Sequence, residues 1–189
     1  MAHPIKVEYI YVLPIGLIDQ RILKSLIIEI KLKFKHQCSI LESIEVPSSA
    51  FDSRRNQYSA TKILQKIVDI APNDTVKILG VADVDLFIPV LTFVFGQAQL
   101  NGRASIISLY RLRQEYYGLP TNDALLIERA VKEAIHEIGH TFGMTHCLDH
   151  KCVMYFSNSV RNVDMKTDNF CDSCSKVLSN KIIGFPWEV

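Results

Sequence analysis

Three histidines within residues 136–146 have the types and spacing of metal ligands. His136 and His140 are four residues apart, so on a helix both imidazoles project from one face and can share one ion. His146 lies further along and can return to that ion only if the chain turns. Gly143 stands where the turn is needed, because glycine accepts the positive φ of a helix end. Three imidazoles with an open fourth position are typical of a catalytic zinc site.

Glu137 directly follows the first histidine, where its carboxylate can reach a metal-bound water without ligating the metal. Zinc lowers the pKa of such a water to about 7, and Glu137 is placed to accept its proton and later to protonate the leaving amine. The stretch therefore predicts a hydrolase that cleaves peptide bonds with a zinc-bound water activated by Glu137. A chance match on a solvated helix is the alternative, and the glycine and third histidine argue against it.

Four cysteines form a second candidate site for a metal. Cys147 and Cys152 enclose four residues, and Cys171 and Cys174 enclose two. Four thiolates suit a closed tetrahedral zinc site, which is structural rather than catalytic. Two disulfides or four free thiols are the alternatives, and a reducing compartment favours zinc. Because Cys147 adjoins His146, this zinc would also anchor the third catalytic ligand. We therefore expect two Zn²⁺ ions per chain, one catalytic and one structural.

Three further residues near these sites have a possible role. Met154 follows the second cysteine by two residues, and we expect it to be buried beneath the imidazoles without ligating the metal. His150 could compete for metal, although an exposed loop histidine is the simpler reading. Tyr155 could donate a hydrogen bond to the oxyanion of the reaction, although an ordinary core or surface tyrosine is the default interpretation.

The composition favours one soluble domain. The chain has 189 residues, is 48% hydrophobic and carries a net charge of +1 from 21 basic and 20 acidic residues. This balance gives no indication of a nucleic-acid or membrane partner. No apolar run is long enough to span a bilayer, and the N-terminal residues lack the pattern of a signal peptide. We expect a cytoplasmic protein with a peptide or protein substrate; the oligomeric state is open, and a monomer is favoured.

Strands and helices alternate before the histidines. The apolar pattern predicts strands at 7–13, 38–46 and 76–81, with helices at 17–35 and 58–71 and an exposed loop at 47–57. This order favours a largely parallel sheet backed by helices. The helix that carries the histidines should run from about 123 to 142, capped by Thr121 or Asn122, and a short helix is expected at 171–178.

A hairpin should follow the parallel units. The strand-like runs 92–99 and 104–109 are joined through Asn101-Gly102, a dipeptide that is typical of tight hairpins. We expect the run 92–99 to form a sheet edge to which an extended peptide can add as a further strand.

Two acidic residues follow the third predicted strand. Asp83 and Asp85 could bind a cation, although a polar turn is favoured. An aminopeptidase needs an acidic group that captures the free amine of its substrate. Asp83, Asp85 and Asp149 are candidates for that group, and the sequence does not rank them.

The histidine pattern, followed by Met154, is similar to that of the metzincin zinc peptidases, and the four cysteines resemble those of one branch, the archaemetzincins. The similarity covers nearly the whole chain, including Arg55-x-Gln57-Tyr58, Leu79-Gly80-Val81 with the two aspartates, Phe95-Gly96 and 108–112. It implies a zinc metalloprotease of the α/β (α+β) class. A twisted, mostly parallel sheet with an antiparallel edge strand would be backed by helices, beside a small zinc-stabilised C-terminal subdomain.

The resemblance further implies one catalytic domain over 1–189, with an N-terminal subdomain of about 1–143 and a C-terminal subdomain of about 144–189. Glu137 would be the general base and Met154 the turn methionine. Some metzincins carry a tyrosine two residues beyond that methionine as a ligand or oxyanion donor, but here Phe156 stands there, so that role is unsupported. The alternative function is a zinc-stabilised peptide-binding protein with little or no turnover. Exopeptidase and endopeptidase activity both stay open.

Overall fold

A computed structural model describes residues 9–183 of the chain. Within this range eight β-strands and five α-helices follow one another. In chain order they are β1 (Tyr9–Ile15), α1 (Gln20–Phe34), β2 (Gln37–Ile40), β3 (Phe51–Asp52), β4 (Gln57–Ser59), α2 (Ala60–Ile70), β5 (Thr75–Ala82), β6 (Leu86–Phe87), β7 (Gly96–Ala98), β8 (Ala104–Ser108), α3 (Asp123–Thr141), α4 (Val160–Met165) and α5 (Asp172–Ile183). None of these helices is both long enough and apolar enough to cross a membrane.

A five-stranded sheet in the order β2-β1-β5-β8-β7 forms the centre of the fold. Its first four strands run parallel, and β7 pairs antiparallel with β8 at one edge. β5 is buried over its whole length, as a parallel strand covered on both faces must be. The prediction of an α/β fold with a mostly parallel sheet, an antiparallel edge strand and backing helices is therefore confirmed.

Helices cover both faces of this sheet, because successive residues of a strand point to opposite sides. Val12 and Leu79 pack with side chains of α1 and α3 in one buried cluster. Leu13 and Ile78, their neighbours in the chain, pack with side chains of α2 in the other. Two hydrophobic layers result, and the histidine-bearing helix α3 belongs to the first.

The first two strands differ from their predicted bounds. Pro14 was expected to end β1, but the strand continues through it. The Pro14 carbonyl accepts a hydrogen bond from Ile44 on the β2 side, so the proline nitrogen faces that side as well. Because β2 has already ended at Ile40, the missing N–H of the proline breaks no ladder. The predicted strand 38–46 is correspondingly too long, and residues 7 and 8 lie outside the described range.

A second, three-stranded sheet in the order β3-β4-β6 was not predicted. It uses part of the stretch 47–57 that was expected to be a loop. The Asp52 carboxylate accepts two backbone N–H groups in the turn between β3 and β4. Tyr58 belongs to β4, so α2 starts later than predicted. Ser59 is its N-cap, and the Ser59 hydroxyl accepts a bond from the Lys62 N–H.

The predicted hairpin is present, but its first strand is short. Asn101 adopts a positive φ of 56° in the turn between β7 and β8. Of the predicted run 92–99, only the three residues of β7 pair with β8. Val94 instead forms an isolated antiparallel bridge with Leu86 in β6. The chain therefore passes from the small sheet to the edge of the large one just before the hairpin.

The C-terminal part contains more helix than the sequence predicted. The helix expected at 171–178 begins at Asp172 and is longer, and α4 was not predicted. Arg129 of α3 is buried and donates two bonds of 2.7 Å to Asp164 of α4. This charge-assisted contact fastens the later part of the chain to the histidine-bearing helix.

Lys77 is a buried cation in the middle of β5. Its ammonium donates bonds of 2.8 Å to the carbonyls of Gly102 and Thr141, and it lies 4.6 Å from the centroid of the Phe142 ring. Burial lowers the pKa of Lys77 to about 8. Thr141 ends α3, where backbone carbonyls attract a cation. Lys77 therefore ties the sheet, the hairpin turn and the end of the histidine-bearing helix together.

We predict that Lys77→Met lowers the free energy of unfolding by about 1–3 kcal/mol, because two buried carbonyls lose a charge-assisted donor. Urea unfolding followed by circular dichroism measures this change. Lys62→Met is the matched control, since Lys62 is exposed and its ammonium bonds the Ser49 carbonyl at the surface. We expect the control to stay within about 0.5 kcal/mol of the unchanged protein. An equal loss in both variants would contradict the role given to Lys77.

Candidate metal centre

The structure brings the three predicted histidines together at the end of α3. Asn122, one of the two predicted caps, starts this helix by accepting the Leu125 N–H. The Nε2 atoms of His136 and His140 lie 3.0 Å apart on one face. The ring centroid of His146 lies 5.4 Å from that of His136 and 4.9 Å from that of His140. One ligand nitrogen from each ring lies within 4.8 Å of the other two.

Backbone carbonyls orient two of these rings. His136 Nδ1 lies 2.8 Å from the Val153 oxygen, and His140 Nδ1 lies 2.7 Å from the Met144 oxygen. A carbonyl can only accept, so each Nδ1 must carry the proton and each Nε2 is left as a free acceptor. This is the tautomer in which Nε2 binds a metal, with the second nitrogen held by a neighbouring group.

Burial favours the neutral form of these imidazoles. It lowers the pKa of His136 well below the ordinary value, and the Lys166 ammonium lowers it further. Burial also lowers the pKa of His140 and His146. The pKa of Glu137 is raised well above its ordinary value, first by burial and then by the neighbouring Glu133 carboxylate. Neutral imidazoles are the form that ligates a metal.

Glycine makes room for the Glu137 side chain. A Cβ on Gly96 of β7 would lie 2.6 Å from Glu137 Cγ and 2.7 Å from the Ile106 carbonyl oxygen. Since one of these atoms is backbone, the clash could not be relieved by a rotamer change. The edge strand can therefore lie against the helix only because residue 96 lacks a side chain. The sequence analysis singled out Phe95-Gly96 as part of the family resemblance, but it did not predict that the glycine leaves space for Glu137.

Two more glycines shape the floor and the turn of the site. A Cβ on Gly139 would lie 2.6 Å from the sulfur of Met154, so the fully buried methionine packs against this gap in α3. Met154 is thus buried against α3 between the two histidines of the helix, and its expected place beneath the imidazoles stays a prediction. Gly143 has a φ of +77°, which confirms the expected turn after the helix.

The four predicted cysteines also converge. Their sulfurs lie within 4.8 Å of one another, and the sulfurs of Cys147 and Cys171 are 3.8 Å apart. All four thiols are free, so the disulfide alternative is not realised. Burial raises the pKa of Cys152 and Cys174, whereas the Cys174 backbone N–H lowers the pKa of Cys171.

One pair of donor atoms in each ligand set has a separation close to that in a zinc site. Tetrahedral zinc with bonds of about 2.3 Å to sulfur places the sulfurs about 3.8 Å apart. The corresponding bonds of about 2.0–2.1 Å to imidazole place the nitrogens about 3.3 Å apart. The observed separations of 3.8 Å between the Cys147 and Cys171 sulfurs and 3.0 Å between two histidine nitrogens agree with these values. The residues present therefore fit zinc at both positions.

One short segment connects the two ligand groups. Cys147 donates its N–H to the Met154 carbonyl over 2.9 Å and forms a parallel bridge with Tyr155. Val153, in the same segment, holds the His136 ring through its carbonyl. A metal ion or another contact that holds the cysteines in place would therefore also hold the residues that pack against the histidines.

A cleft of about 300 Å³ opens in front of the histidines. One side is apolar and includes Ile88, Phe93 and Phe95, together with the residues of β7. Phe156 lies at another side, with its ring centroid 5.0 Å from that of His146. Glu137 and the three imidazoles line the same cleft, so a ligand in it would contact the metal ligands and the carboxylate together.

The other polar candidates lie outside the two ligand groups. His150 is exposed in the loop between the first two cysteines. Asp83 and Asp85 form ion pairs with Arg113 and Arg111, which agrees with the favoured polar turn. Neither these two aspartates nor Asp149 lines the cleft, so nothing in its described walls supports them as captors of a substrate amine.

An ion pair beside the site was not predicted. Glu133 lies one turn before Glu137 on α3 and lines the cleft, and its carboxylate is 2.8 Å from the Lys166 ammonium. Both side chains are almost fully buried. The four-residue spacing of the two glutamates was a signal that they share a helix face. No local pattern in the sequence pointed to Lys166, because this residue follows α4 and is far from Glu133 in the chain.

Comparisons with a family model and with known proteins point to the same family. Residues 9–180 match the family model described as "Peptidase family M54". The chain is 44% identical to the archaemetzincin of Methanocaldococcus jannaschii over 171 residues, which cover 89% of this chain and 91% of that protein. It is 39% identical to the archaemetzincin of Pyrococcus furiosus over 181 residues, with 93% and 94% covered.

Solved structures agree with these sequence matches. The crystal structure of archaemetzincin from Methanopyrus kandleri superimposes with a TM-score of 0.84 at 31% identity, covering 97% of this chain and 99% of that chain. The archaemetzincin of Archaeoglobus fulgidus, crystallised with malonate, gives a TM-score of 0.77 at 34% identity, covering 89% and 99%.

We predict that Lys166→Met lowers the free energy of unfolding by about 3 kcal/mol, because it leaves a buried carboxylate without its partner. The double variant Glu133→Met/Lys166→Met removes both charges and should recover most of that loss. Urea unfolding of the unchanged protein, of Glu133→Met, of Lys166→Met and of the double variant completes a double-mutant cycle. If the double variant were as unstable as Lys166→Met, loss of packing rather than an unpaired charge would account for the effect.

Proposed function

The chain belongs to peptidase family M54 and is a zinc metallopeptidase, and we propose that it cleaves peptide bonds at a zinc ion held by His136, His140 and His146. The observation that carries this proposal is the convergence of three neutral imidazoles and Glu137 in one cleft. A zinc ion there would supply Lewis acidity toward the scissile carbonyl and lower the pKa of a water to about 7.

Glu137 is the general base of the proposed reaction. Its carboxylate accepts a proton from the attacking water and delivers it to the leaving amine. Burial of this side chain raises its pKa, which makes the carboxylate a better proton acceptor than an exposed glutamate. Gly96 supports the assignment, since it permits the edge strand to approach the carboxylate. Met154, Gly139 and the carbonyl contacts of the histidine rings hold the ligands in place.

We propose that the substrate binds in extended form along β7. This strand ends the large sheet, and all three of its residues line the cleft. The side of β7 that does not face β8 can therefore pair with the main chain of a peptide. The apolar wall that continues from β7 favours a substrate with an apolar side chain near the scissile bond.

We further propose a second, structural zinc ion on Cys147, Cys152, Cys171 and Cys174. The chain would then divide near Gly143 into a larger N-terminal part and a smaller part organised by this ion. A reducing compartment keeps cysteines as thiols, so a site of this kind agrees with the cytoplasmic location that we propose. A monomer is the proposed oligomeric state.

We predict that the purified protein contains two zinc ions per chain by plasma mass spectrometry. His140→Ala should remove one ion, because two imidazoles hold zinc poorly, and leave the fold intact. Cys171→Ser should remove the other and lower stability, since a structural zinc contributes its binding free energy to folding. Retention of both ions by His140→Ala would show that the ligand assignment is wrong.

The function itself is tested with a mixed-sequence peptide library whose products are identified by mass. We expect the unchanged protein to cleave it and Glu137→Gln to be slower by about 10²–10⁴-fold, the usual contribution of a general base. Both proteins should contain equal zinc. The ends of the products distinguish trimming of termini from internal cleavage. Zinc-loaded protein that cleaves nothing would favour the alternative of a peptide-binding protein with little turnover.

A further inference from the structure

The apolar wall of the cleft is formed by a segment with little regular structure. Residues 88–95, named here the wall segment, connect β6 to β7 and contribute Leu91 and Phe93 to the cleft. Val94 pairs with Leu86, and the Leu91 N–H bonds the Ile88 carbonyl. Much of the segment is exposed. Its position must therefore depend strongly on side chains from other parts of the chain.

Side chains of β4 and of the turn before it bond to the backbone of the wall segment. The Arg55 guanidinium donates to the carbonyls of Leu91 and Thr92 at 2.9 and 3.1 Å. The Gln57 side-chain amide donates to the Thr92 carbonyl and to the Asp85 carboxylate, both at 3.0 Å. These two residues belong to the Arg55-x-Gln57-Tyr58 motif, for which the proposed mechanism has no use.

Asp85 connects these hydrogen bonds, through Arg111, to the Phe93 ring that lines the cleft. Its carboxylate accepts two bonds of 2.6 and 2.7 Å from Arg111, and both side chains are mostly buried. This bidentate pairing fixes the plane of the guanidinium. The guanidinium lies 4.2 Å from the ring centroid of Phe93 and 4.8 Å from that of Tyr116. Such contacts are favourable and depend on the planar shape of arginine.

We propose that Arg111, aligned by Asp85, is a positioning residue that determines substrate specificity. It holds the Phe93 ring as the wall against which the substrate packs a bulky apolar side chain. Phe93 meets Phe95 edge to face, with centroids 5.2 Å apart, so the wall continues into the residue next to β7. The proposal rests on the peptidase function proposed above and names the chemistry of its substrate.

A neighbouring ion pair provides the matched control. Arg113 bonds Asp83 through the same two guanidinium nitrogens, with a shortest distance of 2.6 Å and comparable exposure. The side-chain hydrogen bonds of Arg113 go to the Asp83 carboxylate, whereas the Arg111 guanidinium bonds Asp85 and also packs on the Phe93 ring. Loss of Arg113 therefore removes a similar charge and ion pair from the same turn without removing the contact with the wall.

The test compares Arg111→Gln, Arg111→Lys and Arg113→Gln. Kinetic constants are measured on the best peptide from the library and on the same peptide with alanine in place of its bulky apolar residue. For Arg111→Gln we expect kcat/KM on the first peptide to fall about tenfold, mostly through KM, and to change little on the alanine peptide. Arg111→Lys should behave similarly, because lysine keeps the charge but lacks the planar face. Arg113→Gln should leave the selectivity within about twofold.

A second measurement does not require activity. Hydrogen exchange followed by mass spectrometry should show faster exchange in the wall segment for Arg111→Gln, with exchange in α3 and the zinc content unchanged. Unchanged exchange with unchanged selectivity would overturn the proposal, as would equal effects of Arg111→Gln and Arg113→Gln. If the unchanged protein cleaves no peptide, the proposed function fails, and the exchange data still decide whether Arg111 orders the wall.

Discussion

The contact between the His136 ring and the Val153 carbonyl is the interaction on which both groups of candidate metal ligands depend. It joins a rigid helix to a segment that has little regular structure of its own. The carbonyl fixes the tautomer and direction of the ring, and the same segment carries Met154 under the helix and Cys147 beside His146. A helix can present two ligands at one face without help, but the third must come from elsewhere. The cysteine cluster holds the segment that supplies it.

Several buried charged side chains in this protein connect one helix or strand to another. Lys77 reaches from a central strand to the end of α3, Arg129 reaches from α3 to α4, and Lys166 reaches back to Glu133. Each charge is buried with a partner, because an unpaired charge in the interior would cost several kcal/mol, roughly as much as the net stability of a small domain. All three contacts converge on α3. The helix that carries two of the proposed ligands and the proposed base is therefore fastened from the sheet and from the C-terminal part.

The small second sheet and the cleft are parts of one arrangement. Val94, just before β7, pairs with Leu86 of the small sheet, and side chains of β4 and of the turn before it bond to the neighbouring backbone. As a result, the edge strand that a substrate would meet continues directly into an apolar wall. Gly96 stands at the junction, where the absence of a side chain leaves space for Glu137. In the proposed function, neighbouring residues therefore place the base and form the wall that the substrate contacts.

The sequence by itself determined the features that depend on local spacing. The four-residue interval of His136 and His140, the glycine turn, the cysteine intervals and the alternation of strands and helices all follow from helix and strand periodicity, and the structure agrees with each of them. Tertiary structure decided the features that depend on partners distant in the chain. Lys166 gave no signal because its partner lies more than thirty residues away. The run 92–99 was divided because Val94 pairs with Leu86 of the small sheet, while Arg55 and Gln57 bond the Thr92 carbonyl. Local periodicity specifies which side chains share a face, but only the folded chain determines which distant groups meet them.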